Sequence, residues 1–190
     1  MSQKYYVSTV QSIKHFDYQA THYIQVLHFE RFLEGLVLIP GILFGRHCFP
    51  YVIIAVFILC GQSIGLHMTI SSVLTVALTE ILKYVFRRDR PHVDAVNNKL
   101  IHMRQYLNNP AFPSGDSAQA AVFSGVFLYH THNLLFLLLP LPTMFSRVYY
   151  GAHWVGDTLA GDFIGLFISI YVSTLLNNLT KSLVHIDMLE

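Results

Sequence analysis

Residues 155–176 read VGDTLAGDFIGLFISIYVSTLL and hold two acidic side chains, Asp157 and Asp162, both near the start. A run of about 20 mainly apolar residues is long enough to cross the hydrocarbon core of a bilayer as a helix. A helix on the surface of a water-soluble protein keeps a polar face toward solvent, whereas residues 163–176 carry no charge. The stretch therefore predicts a membrane-spanning helix.

Other apolar stretches precede this one along the chain. The composition agrees with a membrane protein, because only 12% of residues are charged and 53% are hydrophobic, whereas soluble domains hold about 25% charged residues. We expect one domain over residues 1–190, all-α in class, built as an integral-membrane bundle of about six transmembrane helices within residues 32–176. The five further candidate spans are residues 32–47, 49–66, 69–86, 114–129 and 134–149.

Two segments differ from the spans. In residues 1–31, apolar side chains recur at helical spacing between polar ones, which predicts an amphipathic helix lying on the membrane surface; a helix packed on the bundle is the alternative. Residues 87–112 form a long polar connection, and loops of that length inside a compact domain tend to be functional. The apolar positions of the first segment are Tyr6, Val10, Ile13, Ala20, Ile24 and Leu27.

The charges and cysteines narrow the function classes. A formal net charge of +1 does not fit a nucleic-acid binder, which carries a basic footprint. Cys48 and Cys60 match no zinc spacing. A transporter or channel would need charges near the middle of its spans, whereas the charges here lie mainly at span ends, with Asp162 as the exception.

The first clusters of polar residues flank the polar connection. Lys83 and Arg90 are seven positions apart, about two helical turns, so both cations project from one face at the end of the third span. Ser114 and Gly115 begin the fourth span, where the backbone N–H groups of a helix start can bind an anion. Arg87 and Arg88 are interpreted as cations that reach the membrane surface.

A further cluster joins the fifth and sixth spans, with Ser146 and Arg147 followed by His153 and Asp157. His153 and Asp157 are four apart, so on one helix the carboxylate can hold one ring nitrogen and leave the other free to attack. If the spans alternate in direction, every cluster lies at one membrane face. Cations, amide donors and a nucleophile are together the groups that phosphoryl transfer uses to position the phosphoryl group and stabilise its charge.

The pattern resembles the three-part signature of the type 2 phosphatidic acid phosphatase family, which comprises integral-membrane lipid phosphate phosphatases with six spans and soluble relatives such as vanadium haloperoxidases. The resemblance implies a phosphohistidine at His153, oriented by Asp157, with neither metal nor cofactor required. It implies that the phosphate is bound by Lys83, Arg90, Ser114, Gly115, Ser146 and Arg147. The matching stretches are Lys83 to Arg90-Pro91, then Pro113-Ser114-Gly115, then Ser146-Arg147 to His153 and Asp157.

One position departs from the family pattern, because Asp116 stands where the second motif normally ends in His. The family's His protonates the leaving alkoxide, and an ionised carboxylate cannot donate a proton. In one interpretation Asp116 is the base that activates water, and the substrate is an isoprenoid diphosphate cleaved to the monophosphate. In another, a protonated Asp116 serves hydrolysis of phosphatidic acid or a related lipid monophosphate. In a third, the chain is a weakly active or inactive lipid-phosphate-binding scaffold.

These interpretations imply a multi-pass membrane location. The expected partners are the bilayer and a membrane lipid phosphate. The membrane would be the endoplasmic reticulum in a eukaryote and the inner or plasma membrane in a bacterium.

Overall fold

The computed structural model describes residues 2–92 and 99–187, and in these ranges the regular structure is helical throughout. This confirms the expected all-α class. Two short 3₁₀ helices, Met103–Tyr106 and Leu134–Leu138, lie in the connections. The α-helices are α1 Ser2–Gln25, α2 Arg31–Leu43, α3 Phe49–Cys60, α4 Gln62–Phe86, α5 Gly115–Thr131, α6 Pro140–Tyr149 and α7 Val155–Asp187.

The expected count of six spans is not confirmed. In the described part of the chain, α4 and residues 155–182 of α7 are long and apolar enough to cross a membrane, with 25 and 28 residues. Helices α2 and α3 hold 13 and 12 residues, about 20 and 18 Å at 1.5 Å per residue. Each is shorter than the hydrocarbon core of about 30 Å.

The boundary between the predicted second and third spans moves because of Gly61. This residue has a φ of 89°, a conformation that glycine adopts without steric cost. The chain therefore turns at Gly61, and the stretch predicted as residues 49–66 ends early in α3 while α4 begins at Gln62. Phe57 and Gly65 lie in close contact across this turn. A Cβ added to Gly65 would meet the Phe57 ring at 2.5 Å.

Helices α5 and α7 lie side by side at very short distance. A Cβ at Gly161 would collide with the carbonyl of Ser114, and one at Gly165 with the carbonyl of Ala118. Small residues of this kind allow helix backbones to approach closely. The contact aligns the two N-termini, and the Ser114 amide donates to the Asp157 carbonyl at 2.9 Å.

Helix α1 packs against α6 and α7. Asp17, Thr21 and Gln25, spaced four apart on one stripe, are buried. Of the predicted apolar face, Ile24 and Leu27 pack against the core, whereas Ile13 is 63% exposed. The buried stripe of α1 is thus polar and faces the start of α7.

Candidate active site

The predicted site residues converge at one end of the bundle. Electrostatic interactions reach His153 from Lys83, Arg90, Asp116 and Arg147, and these residues come from α4, the following connection, α5 and α6. The alternating chain direction inferred from the sequence accounts for this convergence. The site is centred on the turn between α6 and α7, which carries His153.

The ring of His153 is held in one tautomer. Its Nδ1 lies 2.8 Å from the carbonyl oxygen of Ala111, and because a carbonyl only accepts, Nδ1 carries the proton. Nε2 of the neutral ring therefore carries the lone pair. Arg90 Nη1 lies 3.4 Å from Nε2, and a guanidinium only donates, so both contacts agree with the same neutral ring.

The environment keeps this ring neutral. Burial lowers the pKa of His153 well below its usual value of 6.5, and the neighbouring cations Arg90, Arg147 and Lys83 lower it further, while Asp116 opposes them. The side chain is 4% exposed. A neutral imidazole with an unprotonated Nε2 is the form that attacks phosphorus.

Asp157 lies next to the ring without bonding to it. Its Oδ2 is 3.8 Å from Nδ1 of His153, longer than a hydrogen bond, and the Ala111 carbonyl takes the position at Nδ1. The shared-helix geometry expected from the sequence does not form, because α7 begins at Val155. Asp157 instead accepts from the Trp154 amide at 3.0 Å, capping α7.

Arg88 was not among the predicted site residues. Its Nη1 donates to Oδ1 of Asp157 at 2.8 Å and its Nη2 donates to Asp17 of α1. The guanidinium also lies 5.1 Å from the centroid of the Trp154 ring. The interpretation of Arg88 as a surface cation is therefore wrong. The sequence could not reveal its partners, because they are distant along the chain and leave no local pattern.

Arg90 is fixed by the connection that follows it. Its Nε donates to the Asn109 carbonyl at 2.9 Å, its Nη2 to Oδ1 of Asn109 at 2.7 Å, and its Nη1 to the Ala152 carbonyl. These bonds orient the guanidinium beside His153. Asn109 and Ala111 thus support the site from within residues 87–112, and backbone acceptors of this kind have no sequence signature.

Lys83 is buried beside the start of α5. Its Nζ donates to Glu80 at 2.7 Å, the pairing that their three-residue spacing allows. A Cβ added to Gly115 would lie 3.8 Å from this Nζ. Because Gly115 has no side chain, space remains between the ammonium group and the first turn of α5.

Ser114 is the N-cap of α5. Its Oγ accepts from the Ser117 amide at 3.3 Å and lies 2.9 Å from the Ser117 Oγ. The first-turn N–H groups of a helix have no partners inside the helix. The end of α5 therefore presents its positive dipole end toward the site, with Asp116 in that first turn.

Arg147 contacts both Asp116 and the polar connection. Its Nη2 lies 2.9 Å from Oδ2 of Asp116, and its Nη1 lies 3.0 Å from Sδ of Met103. Its Nε and the Oγ of Ser146 are buried without a hydrogen-bond partner in the described ranges. Ser146 packs against Gly41 of α2, where a Cβ would collide with its hydroxyl. Arg147 thus has a buried donor available, while Ser146 faces the helix interface.

Among residues 2–92 and 99–187, no group of three or more His, Cys, Asp and Glu side chains is arranged to hold a metal ion. The polar groups around the His153 imidazole are instead the cations Lys83, Arg90 and Arg147 and the ion-paired carboxylates Asp116 and Asp157. Such a site can bind an anion with several oxygens and present a nucleophilic nitrogen to it.

Comparisons with known proteins agree with this geometry. The family model described as the PAP2 superfamily matches residues 64–181, which is more than half of the chain. The chain belongs to the PAP2 superfamily. The resemblance drawn from the three motifs is therefore confirmed.

One curated relative is an undecaprenyl-diphosphatase of Sulfolobus acidocaldarius, 29% identical over 111 residues, a match that covers 57% of this chain and 53% of the relative. The chain thus matches about half the length of that relative.

Two solved structures share the fold. LpxE of Aquifex aeolicus has a TM-score of 0.68 at 21% identity, covering 82% of this chain and 93% of that one. A transmembrane PAP2 type phosphatidylglycerolphosphate phosphatase of Bacillus subtilis has a TM-score of 0.69 at 22% identity, covering 88% and 87%. The membrane location inferred from the apolar stretches agrees with the transmembrane phosphatase of Bacillus subtilis.

Proposed function

We propose that this chain is a multi-pass membrane phosphatase that hydrolyses a lipid phosphate through a phosphohistidine at His153. The observation that carries the proposal is the neutral ring of His153, with Nδ1 donating to Ala111 and Nε2 available beside Arg90. The buried cations match the charge of a phosphoryl group. The family assignment supports the same reaction class.

The proposed reaction has two steps. In the first, Nε2 of His153 forms a bond to phosphorus, and the bond from phosphorus to the leaving oxygen breaks. Lys83, Arg90 and Arg147 stabilise the charge on the equatorial oxygens, assisted by the α5 N-terminus at Ser114 and Gly115. In the second step water attacks phosphorus and gives a proton to Asp116, the P–N bond breaks, and Nε2 regains its lone pair.

The proposed substrate is an isoprenoid diphosphate that is cleaved to the monophosphate. Oδ2 of Asp116 lies 2.9 Å from Nη2 of Arg147, and we assign this carboxylate the role of base for the attacking water. A diphosphate suits a site without a proton donor, since its leaving group is a phosphate monoester, much less basic than an alkoxide. The undecaprenyl-diphosphatase relative supports this substrate class.

Phosphate release by the purified protein in detergent and EDTA tests the proposal, with farnesyl diphosphate and phosphatidic acid as parallel substrates. We expect preferential release from the diphosphate and none from His153→Ala, because that variant lacks the attacking nitrogen. Thermal unfolding of both proteins is the control for folding. Release mainly from phosphatidic acid would overturn the substrate, activity of His153→Ala would overturn the mechanism, and no release from either lipid would favour a binding scaffold.

A further inference from the structure

We propose that Asp17 and Arg88 are positioning residues of the active site, through which helix α1 fixes Asp157 and the turn that carries His153. This inference rests on the proposed function, because it concerns the orientation of the attacking ring. Asp17 lies outside the segment matched by the family model, which begins at residue 64. The coupling therefore involves a helix that the family match does not cover.

The first step of the argument is the burial of Asp157. Its side chain has 0% exposure, and a buried carboxylate is costly unless it is paired and hydrogen-bonded. Arg88 Nη1 supplies the charged partner at 2.8 Å. Arg88 therefore stabilises the ionised carboxylate that lies 3.8 Å from Nδ1 of His153.

The second step is the fixation of Arg88 itself. Its side chain is 33% exposed, and its other terminal nitrogen pairs with Asp17, whose side chain is 11% exposed. Two carboxylates on separate helices thus hold one guanidinium by both of its terminal nitrogens. Because both terminal nitrogens are held, a long side chain that would otherwise move freely is restricted.

The third step is the capping of α7 by α1. Oδ1 of Asp17 accepts from the Gly156 amide at 2.7 Å, and Oγ1 of Thr21 accepts from the Val155 amide at 3.0 Å. Helix N-termini leave such amides without intrahelical partners, and here a distant helix supplies the acceptors. Because His153 precedes Val155 by two residues, the docking of α1 fixes the backbone next to the attacking ring.

Loss of Arg88 removes this restraint in a specific way. The Asp157 carboxylate, without its guanidinium, would compete with the Ala111 carbonyl for the proton on Nδ1 of His153. The ring would then turn, and Nε2 would no longer point at phosphorus in one fixed direction. We expect a lower kcat with a nearly unchanged KM, because the phosphate-binding cations remain in place.

The test compares Arg88→Met with Arg87→Met in the full-length protein. Arg87 is the matched control, since it is adjacent and exposed and its Nε donates only to the Tyr84 carbonyl among the bonds described. For Arg88→Met we expect a kcat about ten- to a hundredfold lower, the range for a misaligned reacting group, and a KM within about twofold of the wild type. Arg88→Lys, which keeps the charge, should recover part of the loss.

A second pair of variants tests α1 with a conservative change. Asp17→Asn keeps an acceptor for the Gly156 amide but loses the charge that holds Arg88, and Glu30→Gln is the matched change at an exposed carboxylate. We expect a lower kcat for Asp17→Asn alone. Combined with Arg88→Met it should add little further loss, because residues acting through one contact are not additive.

The results separate this inference from the proposed function. Wild-type kcat in folded Arg88→Met, or equal losses in Arg87→Met and Arg88→Met, would overturn the inference while the phosphatase activity stands. If the wild type releases no phosphate, the proposed function fails, and nitrogen-15 NMR of the His153 ring then decides. A shift of the Nδ1 proton resonance caused by Arg88→Met but not by Arg87→Met supports the positioning role, because the acceptor of that proton has changed from the Ala111 carbonyl to Asp157, and an unchanged resonance rejects it.

Discussion

Oδ2 of Asp116 lies 2.9 Å from Nη2 of Arg147. An acidic side chain therefore pairs with one nitrogen of the guanidinium that would bind phosphate in the proposed mechanism. Two consequences follow for an incoming substrate. It must share Arg147 with the resident carboxylate, and it meets no donor at the second-motif position. On the proposed mechanism we therefore expect Asp116 to favour a substrate with a good leaving group.

The role of Asp116 is testable by restoring the residue that the family pattern has. Asp116→His supplies a proton donor and removes the charge that competes for Arg147. We expect the rate on phosphatidic acid relative to farnesyl diphosphate to rise by at least about tenfold, since general acid catalysis contributes about 10² to 10⁴. The ratio of the two kcat/KM values measures the effect.

Asp89→His is the control for this substitution, because Asp89 is exposed. Its backbone carbonyl accepts a hydrogen bond from the Trp154 indole, and this bond does not involve the Asp89 side chain. It should leave the substrate ratio unchanged. An unchanged ratio in Asp116→His itself would mean that leaving-group basicity does not decide the substrate.

The pH dependence of the reaction reports the state of His153. In the proposed mechanism the neutral ring attacks, so activity should fall as the pH drops through the pKa of His153 in the free enzyme. Burial and the neighbouring cations lower that pKa well below 6.5. We therefore expect the acid limb of kcat/KM for the wild type to lie well below pH 6.5.

Lys83→Gln tests the electrostatic part of this shift. Removing one of the cations that lower the pKa of His153 should raise that pKa and move the acid limb to higher pH. Ionisation of the substrate is common to both proteins, so the difference between their profiles belongs to the enzyme. If the acid limb of kcat/KM lies at the same pH in the wild type and in Lys83→Gln, the ammonium group does not act on the pKa of His153.

The sequence predicted which residues lie together at this end of the bundle better than it predicted their contacts. Lys83, Arg90, Arg147 and His153 were found by their spacing at span ends, because a charge in an apolar chain is conspicuous. The partner of Nδ1 was not found, since Ala111 contributes a backbone carbonyl and any residue could do so.

The fold was predicted less completely, for a different reason. Apolar composition marks the helices but not their ends, so the turn at Gly61 and the ends of α2 at Leu43 and α3 at Cys60 were missed. The polar stripe of α1 was missed because Asp17 and Thr21 satisfy amides of α7. Burial of polar groups depends on partners that are far away in sequence, and a pattern within one helix cannot reveal them.

The close packing of α5 on α7 should be the most sensitive structural contact of the site. Gly161→Ala adds a Cβ that collides with the Ser114 carbonyl, and backbone cannot move aside as a flexible side chain can. We expect a loss of about 2 kcal/mol in the free energy of unfolding and a lower kcat, because the α5 N-terminus would shift away from His153. Thermal unfolding and phosphate release measure the two effects.

Gly35→Ala provides the matched control in α2. A Cβ there has nothing within 4 Å, and alanine is favoured over glycine inside a helix by about 1 kcal/mol. This variant should therefore keep its activity and unfold at the same or a higher temperature. If Gly161→Ala behaves like Gly35→Ala, the short distance between α5 and α7 does not hold the site together, and the alignment of Ser114 with Asp157 must come from another contact.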